Sequence, residues 1–189
     1  MSIIEMQRVT KDFGNGRGIF DVNLQVSKGH VMGFLGPNGA GKTTAIRQLL
    51  GYSRPQKGLC QIDGMDCFTN ADQIAKKIGY LPGELAFMDE MTGQEFIQFV
   101  GHLRGMSDFQ KAKKLEEFFH FDTKQSIRKM SKGTKQKLGI ICAFMHEPDI
   151  YILDEPTSEL DPLMQNHFVE LVLAEKEKGK TINKRAYKW

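Results

Sequence analysis

The chain has 189 residues, of which 40% are hydrophobic and 26% are charged, and its formal net charge is +3. This length and composition indicate one globular domain with a core of its own, and they exclude a disordered chain. The net charge is too small to predict nucleic acid as a partner, and no apolar run has the length of a membrane span.

The N-terminal part of the sequence predicts several strands and one helix. Apolar Val22, Leu24 and Val26 alternate with polar residues, as in a half-exposed antiparallel strand. The apolar run 31–35 is typical of a buried strand, and it leads into a glycine-rich loop and a helix over residues 42–50. Further strands are predicted at residues 3–8, 59–62 and 78–81.

The middle of the sequence predicts a helical subdomain over residues 83–137. Thr92 and Glu95 form a capping box, and Ser107 with Gln110 is a second candidate cap. Apolar residues follow the first cap at helical spacing, at Phe96, Phe99, Val100 and Leu103. We interpret the phenylalanines of this region as subdomain core, not as a ligand cage.

The last third predicts a helix over residues 138–145, a buried strand over 150–153 and a second helix over 164–172. Another strand begins at Thr181. The segment 183–189 is basic and lacks periodicity, and we predict that it does not continue this strand.

Residues 36–43 are predicted to form a phosphate-binding loop. The sequence GPNGAGKT fits the pattern G-x-x-x-x-G-K-[ST] between an apolar strand and a helix. Its glycines let backbone N–H groups converge on an anion, and the helix N-terminus adds to the positive field. The predicted ATP-binding residues are Gly36, Pro37, Asn38, Gly39, Ala40, Gly41, Lys42, Thr43 and Thr44. By itself this loop indicates only a nucleoside triphosphate, here with Mg²⁺ on the Thr43 hydroxyl and Lys42 on the β- and γ-phosphates.

The strand 150–153 ends in two acids, Asp154 and Glu155. A parallel strand delivers its C-terminal end to the ligand edge of the sheet. We therefore predict that Asp154 holds Mg²⁺ and that Glu155 polarises the attacking water as general base. The alternative is an ordinary strand end with surface acids.

Several short motifs, in order along the chain, resemble those of ABC-type ATPases. Met130–Thr134 resembles a degenerate LSGGQ signature, and Ser158–Asp161 resembles the D-loop. Ile78–Pro82 is similar to the approach to the Q-loop, and Phe13 matches the aromatic A-loop that stacks on adenine. The ordered set covers roughly residues 2–182. Phe13 could instead be a packed loop aromatic, and Asp161 could be a helix N-cap, since Pro162 follows it.

The resemblance implies a single domain over residues 1–189 with an α/β P-loop NTPase fold of the ABC ATPase type. It also implies a small antiparallel β subdomain, a helical insert, and last strands that are missing. In that family two nucleotide-binding subunits pair head to tail, so a signature reaches the partner's ATP. The signature residues here are Ser131, Lys132, Gly133 and Thr134. In that family, separate transmembrane permease subunits respond to the dimer. The residues of the motifs are most similar to those of exporters of the antibiotic and multidrug kind. Such a subunit is cytoplasmic and lies on the inner face of the membrane.

The sequence departs from the family pattern at the Q-loop and in the signature. Gly83 followed by Glu84 stands where the family has a metal-facing glutamine, and Glu84 is a candidate replacement acceptor. Lys132 and Thr134 replace a glycine and a glutamine of the signature. Because its serine and its second glycine remain, we expect the signature to function.

The family also carries a switch histidine after the D-loop helix, and no histidine lies beyond His167. His167 falls within a predicted helix and is interpreted as a structural or surface residue. We therefore expect a truncated or frameshifted copy with an exposed sheet edge, lower stability, and ATP binding that is more robust than turnover. The competing hypotheses are a catalytically silent nucleotide-binding subunit, a soluble ATPase acting on ribosomes or DNA, and an inactive remnant.

Overall fold

The computed structural model describes residues 2–34 and 39–185. The strands are β1 (Ser2–Asp12), β2 (Gly18–Ser27), β3 (Val31–Phe34), β4 (Lys57–Ile62), β5 (Met65–Asp66), β6 (Ile78–Leu81), β7 (Ile150–Asp154) and β8 (Thr181–Arg185). The helices are α1 (Lys42–Leu49), α2 (Ala71–Lys77), α3 (Gly93–Leu103), α4 (Gln110–Phe118), α5 (Lys132–Phe144) and α6 (Pro162–Glu177). A 3₁₀ turn spans Ile127–Lys129. Among the helices of these described ranges, none has the length and hydropathy that crossing a membrane requires.

The first sheet is antiparallel, with the strand order β2-β1-β4-β5. Leu24 and Val26 are buried while their neighbours are exposed, as the alternation in β2 predicts. Three positions bulge at about the same level of the sheet, where Arg8, Asp21 and Gly58 all have positive φ. A side chain at residue 58 would lie 2.3 Å from the Gln7 carbonyl oxygen, so the close approach of β1 requires glycine there.

The second sheet is parallel, with the strand order β3-β8-β7-β6. Every residue of β7 is buried, as an apolar strand with partners on both sides should be. The parallel arrangement brings the C-terminal ends of β3 and β7 to one edge of the sheet. The phosphate loop follows β3, Asp154 is the last residue of β7 and Glu155 comes next, so the topology directs both motifs to the same edge.

The strand that begins at Thr181 runs on to Arg185, so the prediction that segment 183–189 leaves it immediately was wrong. Val31–Phe34 pair with residues 182–185, so within the described residues the phosphate-loop strand β3 has a partner on one side and forms the edge of its sheet on the other. The reason is tertiary, because β3 and β7 supply backbone partners on both sides of β8. Backbone pairing of this kind leaves no signal in side-chain periodicity.

Helices α3, α4 and α5 lie between β6 and β7 along the chain, and α3 and α4 both pack against α5. In α4, Ala112 and Leu115 are buried. In α3 the buried residues are Gly93, Ile97 and Gly101, while the predicted apolar stripe is only partly buried. Leu103 is 73% exposed, so the last residue of that stripe does not face the core. The reason is that small glycines let α3 approach its neighbours closely: side chains at 93 and 101 would meet phenylalanine rings.

Two apolar clusters hold the fold together. One surrounds the helices and the inner part of β7, where the rings of Phe144 and Tyr151 stack at 4.3 Å. The other lies between the antiparallel sheet, α1 and α2. His167 packs on Phe118 and its Nδ1 lies 3.0 Å from the Phe118 carbonyl oxygen, which confirms a structural setting for this side chain. The predicted α/β fold with an antiparallel subdomain and a helical insert is confirmed.

Candidate nucleotide-binding site

The described part of the phosphate loop runs from Gly39 to Thr44 and enters α1 at Lys42. Gly39 and Gly41 have φ values of 83° and 81°, which glycine adopts without strain. A side chain at 41 would lie 2.3 Å from the Ile19 Cγ2 atom, so β2 also requires glycine here. Gly36, Pro37 and Asn38, which the sequence predicts to bind ATP, lie outside the described residues. The structure therefore tests only the helical half of the loop.

A cleft of about 450 Å³ opens beside this loop, and we call it the loop cleft. Its lining includes Gly39, Ala40, Gly41, Lys42, Thr43 and Thr44, together with Phe13, Arg17 and Arg47. Phe13 is 60% exposed, so its ring is not packed inside its own loop. The Lys11 Nζ lies 5.9 Å from the ring centroid, within cation–π distance. The structure thus brings an open aromatic face and the phosphate loop to one cleft.

A second cleft of about 390 Å³ adjoins the first, and we call it the acid cleft. Thr43 and Arg47 line both clefts, and Asp154 and Glu155 line the acid cleft. Asp154 is only 3% exposed, whereas Glu155 is partly exposed and has φ 51°, an uncommon backbone for this residue type. The two acids therefore share a cleft with the hydroxyl-bearing end of the phosphate loop.

Gly83 lies directly against Asp154 in the acid cleft. A side chain at 83 would come 3.3 Å from the Cγ and Oδ2 atoms of Asp154 and would crowd that carboxylate. Glu84 is exposed and lines the same cleft, where the sequence predicts a replacement for glutamine. Tyr80 lies beside them; burial, and then the charge of Asp154, raises the pKa of Tyr80 to about 12. Its hydroxyl therefore stays protonated at neutral pH.

The donor set of the acid cleft fits Mg²⁺, which prefers oxygen ligands. Thr43 supplies a hydroxyl and Asp154 a carboxylate, with Glu84 and Glu155 at the same cleft. Within residues 2–34 and 39–185, no group of three or more His, Cys, Asp or Glu side chains is close enough to hold a metal ion. Mg²⁺ is usually held by one or two carboxylates together with water and substrate phosphates, which fits the oxygen donors of this cleft.

The signature residues start α5 on another part of the surface. Ser131 is the N-cap, and its Oγ accepts a hydrogen bond from the Thr134 N–H at 3.1 Å. Lys132 is exposed in the first turn. A side chain at Gly133 would meet the Glu159 carbonyl oxygen at 2.8 Å. None of the four signature residues lines either cleft of its own chain.

Asp161 caps α6, with its Oδ1 accepting a hydrogen bond from the Met164 N–H at 3.0 Å. The N-cap alternative is therefore what the structure shows, and a D-loop role for Asp161 stays a prediction. Before it, the turn 155–160 follows β7. The Ser158 N–H and Oγ both donate to the Glu155 carbonyl oxygen, at 3.2 and 3.1 Å.

Sequence reasoning gave no role in the site to three residues of this region. Arg47 lines both clefts, and the available signal was its position one helical turn after Thr43. Arg17 lines the loop cleft, and nothing local marks it. Gln136 is buried and donates a hydrogen bond to the Pro156 carbonyl oxygen at 2.9 Å, a contact between segments 20 positions apart.

A glycine-rich loop at a helix N-terminus, beside an acidic end of a parallel strand, defines a P-loop nucleotide-binding domain. The sequence model of the family described as "ABC transporter" matches residues 19–158. The chain belongs to the ABC transporter family, and within it to the ATP-binding subunits.

Several proteins similar in sequence to this chain are named as ATP-binding proteins of transporters. The chain is 33% identical over 186 residues to the probable multidrug ABC transporter ATP-binding protein YbhF of Escherichia coli K12, covering 96% of this chain and 32% of that protein. It is 36% identical to the ABC transporter ATP-binding protein NatA of Bacillus subtilis, covering 88% of this chain and 70% of NatA. It is 37% identical to the bacitracin transport ATP-binding protein BcrA of Bacillus licheniformis, covering 86% of this chain and 54% of BcrA. The chain thus spans about a third of YbhF and roughly half of BcrA.

Solved structures agree with the fold. An ATP-binding subunit of an ABC transporter superimposes with a TM-score of 0.89 at 27% identity, covering 98% of this chain and 80% of that one. A dimeric ATP-binding cassette in a post-hydrolysis state, bound to ADP and Pi, superimposes with a TM-score of 0.87 at 21% identity, covering 98% and 88%.

Proposed function

We propose that this chain binds ATP–Mg²⁺ and hydrolyses it to drive export through separate membrane subunits. One observation carries the proposal: Thr43 of the phosphate loop and both acids, Asp154 and Glu155, line one cleft, and Thr43 also lines the cleft that contains Lys42 and Phe13. This juxtaposition supports binding of base, phosphates and metal at one continuous site.

Each residue then has a role that its position supports. Phe13 stacks on the adenine, Lys42 neutralises the β- and γ-phosphates, and Thr43 with Asp154 holds the metal. Mg²⁺, when bound, offsets the charge that develops on the phosphates. Glu155 accepts a proton from the attacking water as general base.

Pairing of two nucleotide-binding subunits completes the site. The signature residues Ser131 and Gly133 line neither cleft of their own chain, which supports a contact with the ATP of a second subunit. A helix N-terminus suits such a phosphate contact. The multidrug and bacitracin names of the relatives support export through transmembrane permease subunits, with this chain on the inner face of the membrane. We propose no nucleic acid as a partner.

Magnesium-dependent ATP affinity and steady-state hydrolysis of the purified chain test the proposal. We expect Lys42→Ala to weaken ATP binding about tenfold or more, because it removes a buried cation from the phosphates. We expect Glu155→Gln to keep ATP binding and to lower turnover about a hundredfold. Lys113→Ala, on the exposed side of α4, is the matched control and should bind like the unchanged chain.

Two results would contradict the proposal. The first is an ATP affinity that changes neither on removal of Mg²⁺ nor in Lys42→Ala, when the variant also unfolds at the same temperature as the unchanged chain. The second is binding with turnover that Glu155→Gln leaves unaltered, which would favour a catalytically silent subunit.

A further inference from the structure

The turn 155–160 and the signature helix α5 are joined by two direct contacts. Gln136 is 3% exposed, and its Nε2 donates to the carbonyl oxygen of the buried Pro156 at 2.9 Å. Gly133 faces the same turn, so closely that a side chain there would lie 2.8 Å from the Glu159 carbonyl oxygen. Residues three positions apart share one face of a helix, so both contacts come from the same face of α5.

The two joined segments serve different nucleotides in the proposed dimer. The turn begins with Glu155, the general base for the ATP of its own chain. The start of α5 carries Ser131 and Gly133, which contact the ATP of the partner subunit. Because packed interiors leave little room for independent shifts, a displacement of the N-terminus of α5 by the partner's phosphate would reach the turn through Gln136 and Gly133.

We propose that Gln136 is a positioning residue that couples signature engagement in one nucleotide site to the placement of Glu155 in the other. The coupling is reciprocal, because a free energy that links two sites acts on both. The role of this coupling in ATP hydrolysis rests on the proposed function. The mechanical link between α5 and the turn does not depend on it.

The turn offers a matched control on its opposite side. Gln165 of α6 donates through its Nε2 to the Leu160 carbonyl oxygen at 2.9 Å and to the Thr157 carbonyl oxygen at 3.4 Å. It therefore anchors the same turn through the same side-chain chemistry, but it has no contact with α5 among these bonds. Gln136→Met and Gln165→Met each remove an amide donor and keep the length of the side chain.

The first experiment is steady-state ATP hydrolysis by the two variants in the full chain. For Gln136→Met we expect kcat to fall about tenfold or more while KM for ATP stays within about threefold, because the base is misplaced and the nucleotide contacts remain. For Gln165→Met we expect kcat within about twofold of the unchanged chain. Equal losses in both variants, a Gln136→Met kcat within twofold, or a parallel loss of affinity would each overturn the proposal.

Hydrogen–deuterium exchange provides a readout that needs neither turnover nor nucleotide. In the nucleotide-free protein, Gln136→Met should raise exchange in both 132–137 and 155–160, whereas Gln165→Met should raise it only in 157–165. Exchange in 155–160 that Gln136→Met leaves unchanged would overturn the coupling. A chain that shows this exchange pattern but binds no ATP would instead refute the proposed function and leave the link standing.

Discussion

Asn183 is a buried amide in the middle of the parallel sheet. It is 1% exposed, and neither its Nδ2 nor its Oδ1 has a hydrogen bond within the part of the chain that the structure describes. Thr181, two positions earlier on the same strand, is also buried, but its Oγ1 accepts a hydrogen bond from the Gly29 N–H at 2.9 Å. An unpaired buried amide costs about 1–3 kcal/mol, so β8 is weakened where it joins β3 to β7.

Asn183→Leu should raise the free energy of unfolding by about 1–2 kcal/mol, because it replaces an unsatisfied amide with an apolar side chain of the same branching and number of heavy atoms. Urea unfolding followed by circular dichroism measures the change. Thr181→Val is the matched control on the same strand, and it should lower stability because the Gly29 N–H loses its acceptor. A lower midpoint for Asn183→Leu would show that the amide is satisfied in solution.

Of the two helix caps that the sequence predicts, the one at the start of α3 is present in the structure and the one at the start of α4 is not. The Thr92 and Glu95 capping box is confirmed: Thr92 Oγ1 accepts from the Glu95 N–H, and Glu95 accepts from the Thr92 N–H at 2.7 Å. The backbone hydrogen bond from Thr92 lowers the pKa of Glu95. The Ser107 cap was wrong, because Phe109 is the N-cap of α4 and Asp108 accepts from the Gln110 N–H instead.

Thr92→Ala should lower the free energy of unfolding by about 1 kcal/mol, because the Glu95 N–H at the start of α3 loses its acceptor. Thermal and urea unfolding both report this change. Ser107→Ala provides the comparison, and we expect it to change stability by less than about 0.5 kcal/mol. Similar losses in the two variants would mean that Ser107 caps α4 in solution.

The motifs that local chemistry defines were predictable at the level of elements. A helix over residues 42–50, the buried strand that ends at Asp154, and the alternation in β2 all follow from periodicity and glycine placement. The full length of β8 was not predictable, since its partners come from β3 and β7. The hydrogen bond from Gln136 to Pro156 was not predictable for the same reason, because the acceptor lies in another segment of the chain.

Arg104 connects the helical segment with α2 and with the parallel sheet through hydrogen bonds. Its guanidinium donates to the carbonyl oxygens of Ala75 at 3.3 Å and Ile78 at 3.4 Å, and it lies 3.0 Å from the Nε2 of His146. Arg104 ends α3, Ala75 belongs to α2, and His146 follows α5. Burial, and then the charge of Arg104, lowers the pKa of His146 from its ordinary 6.5 to about 4.

The stability of the chain should therefore depend on pH in a window that His146 sets. Between pH 6.5 and about 4 the unfolded chain binds a proton at His146 and the folded chain does not, so stability falls as the pH is lowered. Down to about pH 5 this loss should reach about 1–2 kcal/mol, measured by urea unfolding across the window. His146→Gln keeps an acceptor for Arg104 and cannot titrate, so it should flatten the dependence. The exposed His102→Gln should leave it intact, and equal slopes in all three proteins would mean that His146 is protonated in the folded chain.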